Sequence, residues 1–285
     1  MMADYKIKDL ENLSGIKAHT IRVWEKRYNL LSPSRTKTKI RTYSDADLVK
    51  LLNISILNEN GWKISKIALL NDAELAQEVS KVSIDKTVDS VVVNLFIKSL
   101  TTLDSVLFSR VFDSCVAKES LTATYENYLI PFLNRIGVMW LIGSISLSQE
   151  HFVSCLIRQK VIVAIDQLED KDQPVPDFIL FCREGEWHEL GLLYYYFRLK
   201  EKGYSVLYLG QNLPVDAVQE IVTSMQFKPK VVSSFVSPVD EDIFDYLKKM
   251  QEKVNTKLYV GGAQTDELSF KQEKNILDVK KLFNE

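Results

Sequence analysis

The stretch FILFCREGEWHELG, residues 178–191, decides the fold of the C-terminal third. Its first five residues form a continuous apolar run, which is typical of a strand buried on both faces of a parallel sheet. A polar loop follows, and then a helical pattern over 190–202. Further strand-like runs are expected at 205–209, 231–236 and 258–260, separated by helices at 216–225 and 241–251. This alternation predicts a Rossmann-like α/β domain with a parallel sheet and helices on both faces.

Small and polar residues follow three of these predicted strands, at the edge where such sheets bind ligands. They are Glu186, His188, Gly191, Ser233, Gly261 and Gly262. A neutral imidazole is a good ligand for a transition metal such as cobalt, and a carboxylate two residues away can orient the ring. No Gly-x-Gly-x-x-Gly follows the first strand, which disfavours dinucleotide binding.

The spacing of these residues resembles the cobalamin-binding fold, whose pattern is Asp-x-His-x-x-Gly, then Ser-x-Leu, then Gly-Gly. Forty-one residues separate Gly191 from Ser233 here. Glu186 stands where the fold commonly has Asp, and Phe235 replaces Leu. The resemblance implies that His188 coordinates cobalt from below while Glu186 orients its ring. It also implies that a buried nucleotide tail lies against Gly191, Ser233, Gly261 and Gly262.

The N-terminal segment is basic, although the net charge of the chain is -2. Residues 17–50 contain nine Lys or Arg and three Asp or Glu, which is the footprint of a phosphate-binding module or of a solvated basic face. Two short helical patterns joined at Ser14-Gly15 predict a helix-turn-helix, and SPSRTKTKIR at 32–41 predicts a hairpin wing. Ser44 begins a capping box for the next helix. The residues expected to face DNA are Thr20, Arg22, Lys26, Arg27, Arg35, Lys37, Lys39, Arg41 and Tyr43.

The stretch TIRVWEKRY at 20–28, with the wing, resembles the DNA-binding domain of MerR-family regulators over roughly residues 4–75.

The middle segment is apolar at every third or fourth position and contains a single proline over 74–170. This pattern predicts a four-helix bundle, with Ser148 capping its last helix. Trp140 precedes Glu150 and His151 by nine intervening residues. Taken alone, such a tryptophan is more often part of the core than of a binding site.

The order of the three modules resembles the CarH/LitR class of photoreceptor regulators. The chain is then a mixed multidomain protein. Its domains are an α-rich winged helix-turn-helix at 1–75, a four-helix bundle at 76–172 and a Rossmann-like α/β domain at 173–285. The resemblance implies a repressor, not an enzyme, that binds adenosylcobalamin and double-stranded operator DNA as a tetramer. Trp140 would cover the adenosyl group beside Glu150 and His151, and light would cleave the cobalt–carbon bond. Leu141, however, stands where light-sensing relatives often carry histidine, so a dark cobalamin sensor stays open.

Composition limits the remaining classes. Hydrophobic residues make up 46% and charged residues 26%, as in ordinary globular proteins, and the three cysteines form no Cys-x-x-Cys pair. The first residues lack the apolar core of a signal peptide, and no apolar run is long enough for a membrane helix, so a cytoplasmic location is expected.

Two alternative functions stay open. One is a corrinoid carrier subunit of an enzyme, which the MerR-like head disfavours. The other is a regulator whose sensor domain binds a different ligand or a protein.

Overall fold

The fold is taken from a computed structural model of the chain. It describes residues 5–35, 41–80, 89–141, 145–169, 171, 173–225, 227–266, 268–270 and 273–283. The chain forms two compact units, Met1–Leu156 and Ile157–Glu285. Their boundary falls inside one helix rather than at the proline-containing segment 173–176. The division into 1–75, 76–172 and 173–285 therefore stays a prediction.

The first unit begins with a winged helix-turn-helix, as the sequence predicts. Helix α1 (Ile7–Ser14) ends at Gly15, whose φ of 75° lets the chain turn into α2 (Ala18–Tyr28). Strand β1 (Ser34–Arg35) pairs antiparallel with β2 (Arg41–Thr42), which forms the wing. The remaining helices are α3 (Asp45–Glu59), α4 (Ile64–Ile67) and α5 (Asp72–Ser80).

Helix α3 has the predicted capping box. The Ser44 hydroxyl accepts from the Asp47 backbone N–H at 3.2 Å, and the Asp47 carboxylate accepts from the Ser44 N–H at 2.9 Å. This reciprocal pair satisfies donors that the first helical turn leaves without partners. The helix then buries Leu48 and residues 51–57 against its neighbours.

Helices also make up the middle segment. The long ones are α6 (Asp89–Thr102), α7 (Ser105–Lys118), α9 (Ile130–Leu141) and α10 (Leu147–Asp166). A short α8 (Leu121–Thr124) and a π-helical turn (Tyr125–Leu129), neither of which the apolar pattern indicates, precede α9. The prediction that Ser148 caps the last helix is wrong. Ser146 does so, because its hydroxyl accepts from the Gln149 N–H at 3.2 Å and the Gln149 side chain accepts from the Ser146 N–H at 2.9 Å.

A buried polar network joins the helix-turn-helix to the middle helices. The Arg135 guanidinium on α9 donates to the Asn94 amide oxygen at 2.7 Å, and the Asn94 amide donates to the Ser55 hydroxyl at 3.2 Å. Ser55 in turn donates to the Ser14 carbonyl at 3.3 Å, beside the turn of the helix-turn-helix. Burial lowers the pKa of Arg135, and the negative charge of Glu59 opposes that effect. The network gives the partly buried Arg135 cation a polar partner on α6, which is linked in turn to the head.

The second unit is the predicted parallel α/β sheet. Its strands lie in the order β4-β3-β5-β6-β7, and each neighbouring pair is parallel. The strands are β3 (Phe178–Arg183), β4 (Val206–Leu213), β5 (Lys230–Ser234), β6 (Leu258–Gly261) and β7 (Ile276–Asp278). Strand β7 was not predicted, because three residues after a long loop carry no usable periodicity. The helices are α11 (Leu190–Glu201), α12 (Val215–Ser224) and α13 (Ile243–Val254).

The two faces of the sheet have separate cores. Phe178, Leu180 and Cys182 of β3 pack with α11, whereas Ile179 and Phe181 pack with α12 and α13. Alternation of side chains along a strand explains this division, since successive residues point to opposite faces. The unbroken apolar run of β3 is therefore buried on both sides, and it presents the following loop at the carboxyl edge of the sheet.

Candidate functional site

The loop after β3 holds the predicted Glu186–His188 pair together. The carboxylate of Glu186 is fully buried, and one of its oxygens, Oε1, lies 2.7 Å from Nδ1 of His188. The backbone N–H of His188 donates to the same oxygen at 3.0 Å. Glu186 Oε2 accepts from the backbone N–H groups of Val236 and Ser237 at 2.9 and 2.6 Å. The predicted contact between Glu186 and the imidazole is thus confirmed.

Ser237 is a member of this cluster that the sequence analysis missed. Its hydroxyl lies 3.1 Å from Glu186 Oε1 and 3.2 Å from His188 Nδ1. It belongs to the segment after β5, forty-nine residues beyond His188. Only the parallel pairing of β3 with β5 brings the two loops to one edge, and no local spacing in the sequence signals it.

The hydrogen bonds to Glu186 determine its charge. Burial by itself raises the pKa of this carboxyl, but donation from the His188 ring and from the backbone of Ser237, His188 and Val236 outweighs burial and lowers the pKa to about 2. Glu186 is therefore an ionised acceptor at neutral pH. An imidazole nitrogen that contacts it must carry a proton, which places the ring lone pair on Nε2, the tautomer that metal ligation through Nε2 requires.

The imidazole itself is held at an exposed position. The side chain of His188 is 59% exposed while that of Glu186 is not exposed at all. Trp187, between them, is also 59% exposed and is a second residue that sequence reasoning did not single out. The loop thus buries its carboxylate and presents a ring and an indole outward, as a site for a large flat ligand requires.

Glu189 continues the same loop into α11. One of its carboxylate oxygens accepts from the Tyr208 hydroxyl on β4 at 2.8 Å. The other oxygen pairs with Arg158 of α10 at 3.0 Å. The C-terminal end of the loop is therefore held by side chains from a strand and from a helix.

Asn212, near the end of β4, holds the other end of the loop. Its amide oxygen accepts from the Gly185 backbone N–H at 2.9 Å, and its own backbone N–H donates to the Glu186 carbonyl at 3.1 Å. Asn212 has a φ of 57°, a left-handed conformation that asparagine tolerates better than most residues with a Cβ. Because both ends of the loop are fixed, the ring of His188 is carried by a braced segment rather than by a loose one.

Two buried hydroxyls mark the space beside the loop. The Oγ atoms of Ser233 and Ser234, at the end of β5, have no hydrogen-bond partner within the described part of the chain. A Cβ placed on Gly191 would lie 3.1 Å from the Ser234 hydroxyl. Buried polar groups are normally paired, so the Ser234 hydroxyl beside Gly191 fits a polar ligand that reaches under the loop. Ser233 precedes it on β5 and points to the opposite face of the sheet, so its contact with a tail stays a prediction. The donor set and the Ser234 hydroxyl together fit a corrinoid with a buried tail.

The predicted glycine pair has a packing role in this structure. A Cβ on Gly261 would lie 2.2 Å from the Tyr195 hydroxyl, and one on Gly262 would lie 2.4 Å from the Phe235 carbonyl oxygen. Gly262 also has a φ of 100°, which residues with a Cβ rarely adopt. Both glycines are therefore required by the chain's own packing, and a contact with a nucleotide tail stays a prediction.

The second predicted constellation lies in the first unit. Trp140 is 49% exposed, which is unlike a core tryptophan. Glu150 accepts a hydrogen bond from the Ser154 hydroxyl at 2.6 Å, and His151 is exposed on the same helix. The side chain of Leu141 lies outside the described part of the chain.

Five of the predicted DNA-facing residues lie on α2 and the wing with side chains that are exposed or partly exposed. Arg22, Lys26 and Arg27 are exposed on α2, Thr20 is partly exposed, and Arg35 is exposed on the wing. Lys37 and Lys39 lie outside the described residues. The exposed cations on a helix and an adjoining wing form a surface suited to phosphates and groove edges.

Glu25 ties the wing to α2 and was missed by the sequence analysis. Its carboxylate accepts from Arg41 Nε at 2.9 Å and from the Tyr43 hydroxyl at 3.1 Å. Tyr43 is fully buried, so the prediction that its side chain faces DNA is corrected: it packs beneath the wing. An aromatic residue beside basic ones does not reveal from sequence which way its ring points. Arg41 stays partly exposed, and its contact with DNA stays a prediction.

Comparison with known proteins gives family matches to the head and to the middle segment of the chain. Residues 5–74 match the family model of MerR HTH regulatory proteins, and residues 92–164 match a model described as a B12 binding domain. The chain is 27% identical over 271 residues to the HTH-type transcriptional repressor CarH of Myxococcus xanthus, covering 91% of this chain and 89% of that protein. It is 28% identical to the repressor CarA of the same organism, covering 81% of this chain and 76% of that one.

The chain is therefore similar to the CarH-type repressors over most of its length, with a MerR-type match at its head. These curated relatives are transcriptional regulators, in agreement with the prediction that the chain is not an enzyme. A monomethylamine corrinoid protein of Methanosarcina barkeri has a similar fold, with a TM-score of 0.50 at 14% identity, covering 64% of this chain and 91% of that one. Within the described residues, no helix is both long and apolar enough to cross a membrane.

Proposed function

We propose that this chain is a DNA-binding transcriptional repressor whose sensor unit binds adenosylcobalamin. The observation that carries the proposal is the pairing of an outward-facing imidazole with a buried, ionised carboxylate at the carboxyl edge of a parallel sheet. The basic helix and wing of the first unit give the same chain a surface for operator DNA. A repressor of this kind works where the DNA is, so we also propose a cytoplasmic location.

In this proposal the chain's residues bind and orient the ligand. Glu186 would fix the proton of His188 on Nδ1, which would leave Nε2 to hold the cobalt of a bound corrinoid. Ser234, beside Gly191, would offer its hydroxyl to the buried part of the ligand, since it lacks a partner among the described residues. Bound adenosylcobalamin would supply a cobalt–carbon bond that light can cleave.

The upper face of the ligand is assigned to Trp140, Glu150 and His151. The half-exposed indole of Trp140 supports this assignment, because an indole is a flat apolar lid with few rotamers. We further propose that ligand binding assembles a tetramer and that illumination dissociates it. Linked heads on one operator gain affinity through effective concentration, so dissociation of the tetramer releases the DNA.

Size-exclusion chromatography of the full chain with adenosylcobalamin, in the dark and after illumination, tests the proposal. A coloured chain that elutes as a larger assembly in the dark and as a smaller one after light is expected. A chain that stays colourless after desalting contradicts cobalamin binding. A coloured chain whose size ignores light contradicts the light response alone, and it favours a dark sensor of the kind that Leu141 leaves open.

The His188→Ala variant tests the lower ligand directly. We expect loss of the histidine-coordinated visible spectrum. Binding should weaken by more than the roughly tenfold to hundredfold that is typical for loss of an outer-shell partner, because the ligand itself is removed. The Trp140→Ala variant should keep that spectrum but weaken the dark assembly. An unchanged spectrum in His188→Ala would refute coordination by this residue.

A further inference from the structure

Arg183, the last residue of β3, joins the loop that carries His188 to the segment after β5. Its guanidinium nitrogen Nη1 donates to the Glu184 carbonyl at 2.8 Å. Nη2 donates to the carbonyls of Ser237 and Pro238 at 3.2 and 2.8 Å. One planar side chain therefore holds three carbonyls from two segments that are distant in sequence, a geometry that a guanidinium provides and an ammonium does not.

The segment that Arg183 holds is the one that supplies the donors to Glu186. The backbone N–H groups of Val236 and Ser237 and the Ser237 hydroxyl all reach the Glu186 carboxylate. Glu186 in turn contacts the ring of His188. A continuous chain of hydrogen bonds thus runs from Arg183 through the 236–238 backbone to the imidazole, and the guanidinium itself lies outside the proposed ligand contacts.

The Arg183 side chain is also fixed at its outer end. The guanidinium lies 5.8 Å from the ring centroid of Tyr246 on α13, close enough for a cation–π contact. The arrangement leaves a buried Nε that has no partner within the described residues. An unpaired buried donor costs free energy, and a solvated surface arginine would not carry that cost. The three carbonyls that Arg183 bridges therefore account for its position.

We propose that Arg183 is a positioning residue that fixes the orientation of His188 through the 236–238 backbone and thereby sets its strength as the lower cobalt ligand. The cobalt in this inference rests on the proposed function, whereas the positioning of the ring rests on the hydrogen bonds described above. Replacing Arg183 would release the Ser237 and Pro238 carbonyls, let the neighbouring N–H groups turn away from Glu186, and loosen the ring.

The test compares Arg183→Met with the wild-type chain and with Arg110→Met, an exposed arginine of α7 that serves as the control. In the ligand-free full chain, the His188 Nδ1 proton is followed by nitrogen–proton NMR. We expect a slowly exchanging proton in the wild type and in Arg110→Met, and a fast-exchanging or absent one in Arg183→Met. A protected proton in Arg183→Met would overturn the proposal.

A second readout uses the loaded chain with 15N-labelled histidine and cob(II)alamin. The electron paramagnetic resonance lines split into doublets when a labelled imidazole coordinates cobalt. We expect this histidine-coordinated fraction, and the affinity, to fall by about tenfold in Arg183→Met, as for the loss of an outer-shell partner. An unchanged fraction would contradict the proposal.

The two readouts separate the possible failures. If the wild type binds no corrinoid, the proposed function fails, yet the NMR comparison still decides whether Arg183 positions His188. If Arg183→Met does not fold, Arg183→Lys carries the test, because it keeps the charge but cannot bridge all three carbonyls. Full protection of the Nδ1 proton in Arg183→Lys would then overturn the proposal.

Discussion

Two glutamates, one in each unit, hold side chains of the candidate sites, and they do so differently. Glu25 accepts from two side chains, Arg41 and Tyr43, and remains 15% exposed. Glu186 is fully buried, and three of its donors are backbone N–H groups. The first arrangement joins a wing to a helix, and the second fixes a single ring.

The difference suits what each site is proposed to bind. Backbone donors cannot rotate away, so the Glu186 cluster holds its imidazole in one orientation, as the proposed metal ligation requires. Side-chain donors can adjust, so the Glu25 cluster lets a cationic wing adapt to a phosphate backbone. Substitution of Glu186 and substitution of Glu25 should therefore have effects that differ in size and in kind.

The largest effect is expected from Glu186→Gln. The low pKa of about 2 for Glu186, against 4.5 ordinarily, corresponds to about 3 kcal/mol of stability. Because the folded pKa is depressed, this contribution is present above about pH 4.5 and is lost as the pH falls towards 2. Urea denaturation of the ligand-free variant should show a deficit near that size at about pH 7 and a smaller one at about pH 4.

Glu184→Gln is the matched control, since this residue lies on the same loop and is exposed. It should change the stability at neutral pH by less than about 0.5 kcal/mol, as is usual for surface substitutions. If Glu186→Gln is as stable as Glu184→Gln at neutral pH, the expected contribution of Glu186 to stability is contradicted.

A smaller effect is expected from Glu25→Gln. Loss of the charged partner should free Arg41 and the wing, and weaken operator binding by about tenfold, the order of one charge-assisted hydrogen bond. Fluorescence anisotropy with a labelled operator duplex measures the change.

The control for Glu25→Gln is Glu11→Gln. Glu11 pairs with Lys8 and Lys17 on the same head, so its substitution removes an equal charge without touching the wing. Removing a negative charge by itself favours DNA binding, and Glu11→Gln should leave affinity unchanged or slightly raised. Equal behaviour of the two variants would show that Glu25 does not position the wing.

The smallest effect is expected from Arg35→Ala on the exposed wing strand. Loss of one phosphate contact should reduce the slope of log affinity against log salt by about 0.9. The change should be similar for operator and unrelated duplexes, because a phosphate contact carries no sequence information. An unaltered slope would place Arg35 outside the interface.

The sequence predicted those features of the site that depend on neighbouring residues. The contact between Glu186 and His188 joins residues two apart on one loop, and the capping box of Ser44 spans three. Ser237 and Arg183 could not be found in this way, because their contacts to the loop depend on the pairing of β3 with β5 and on the path of the segment that follows β5. The burial of Tyr43 escaped prediction for a related reason, since its ring direction is set by the wing that Glu25 holds.

The fold shows the same division. Strong apolar periodicity predicted the parallel sheet and the long helices, whereas β7 and the π-helical turn at Tyr125–Leu129 lack a local pattern. Ser148 and Ser146 are both plausible caps from composition, and only the hydrogen bonds of Gln149 distinguish them.

The polar network around Arg135 limits how the DNA-binding head could be replaced by the head of a related regulator. A recognition head grafted from another regulator would have to bring a hydroxyl in place of Ser55 and a carbonyl in register with Ser14, or it would leave the buried Asn94 amide N–H group without its acceptor. The head of this protein is thus not a freely interchangeable cassette. Chimaeras that keep residues 1–80 and 89–141 from one parent should fold more stably than chimaeras joined between them.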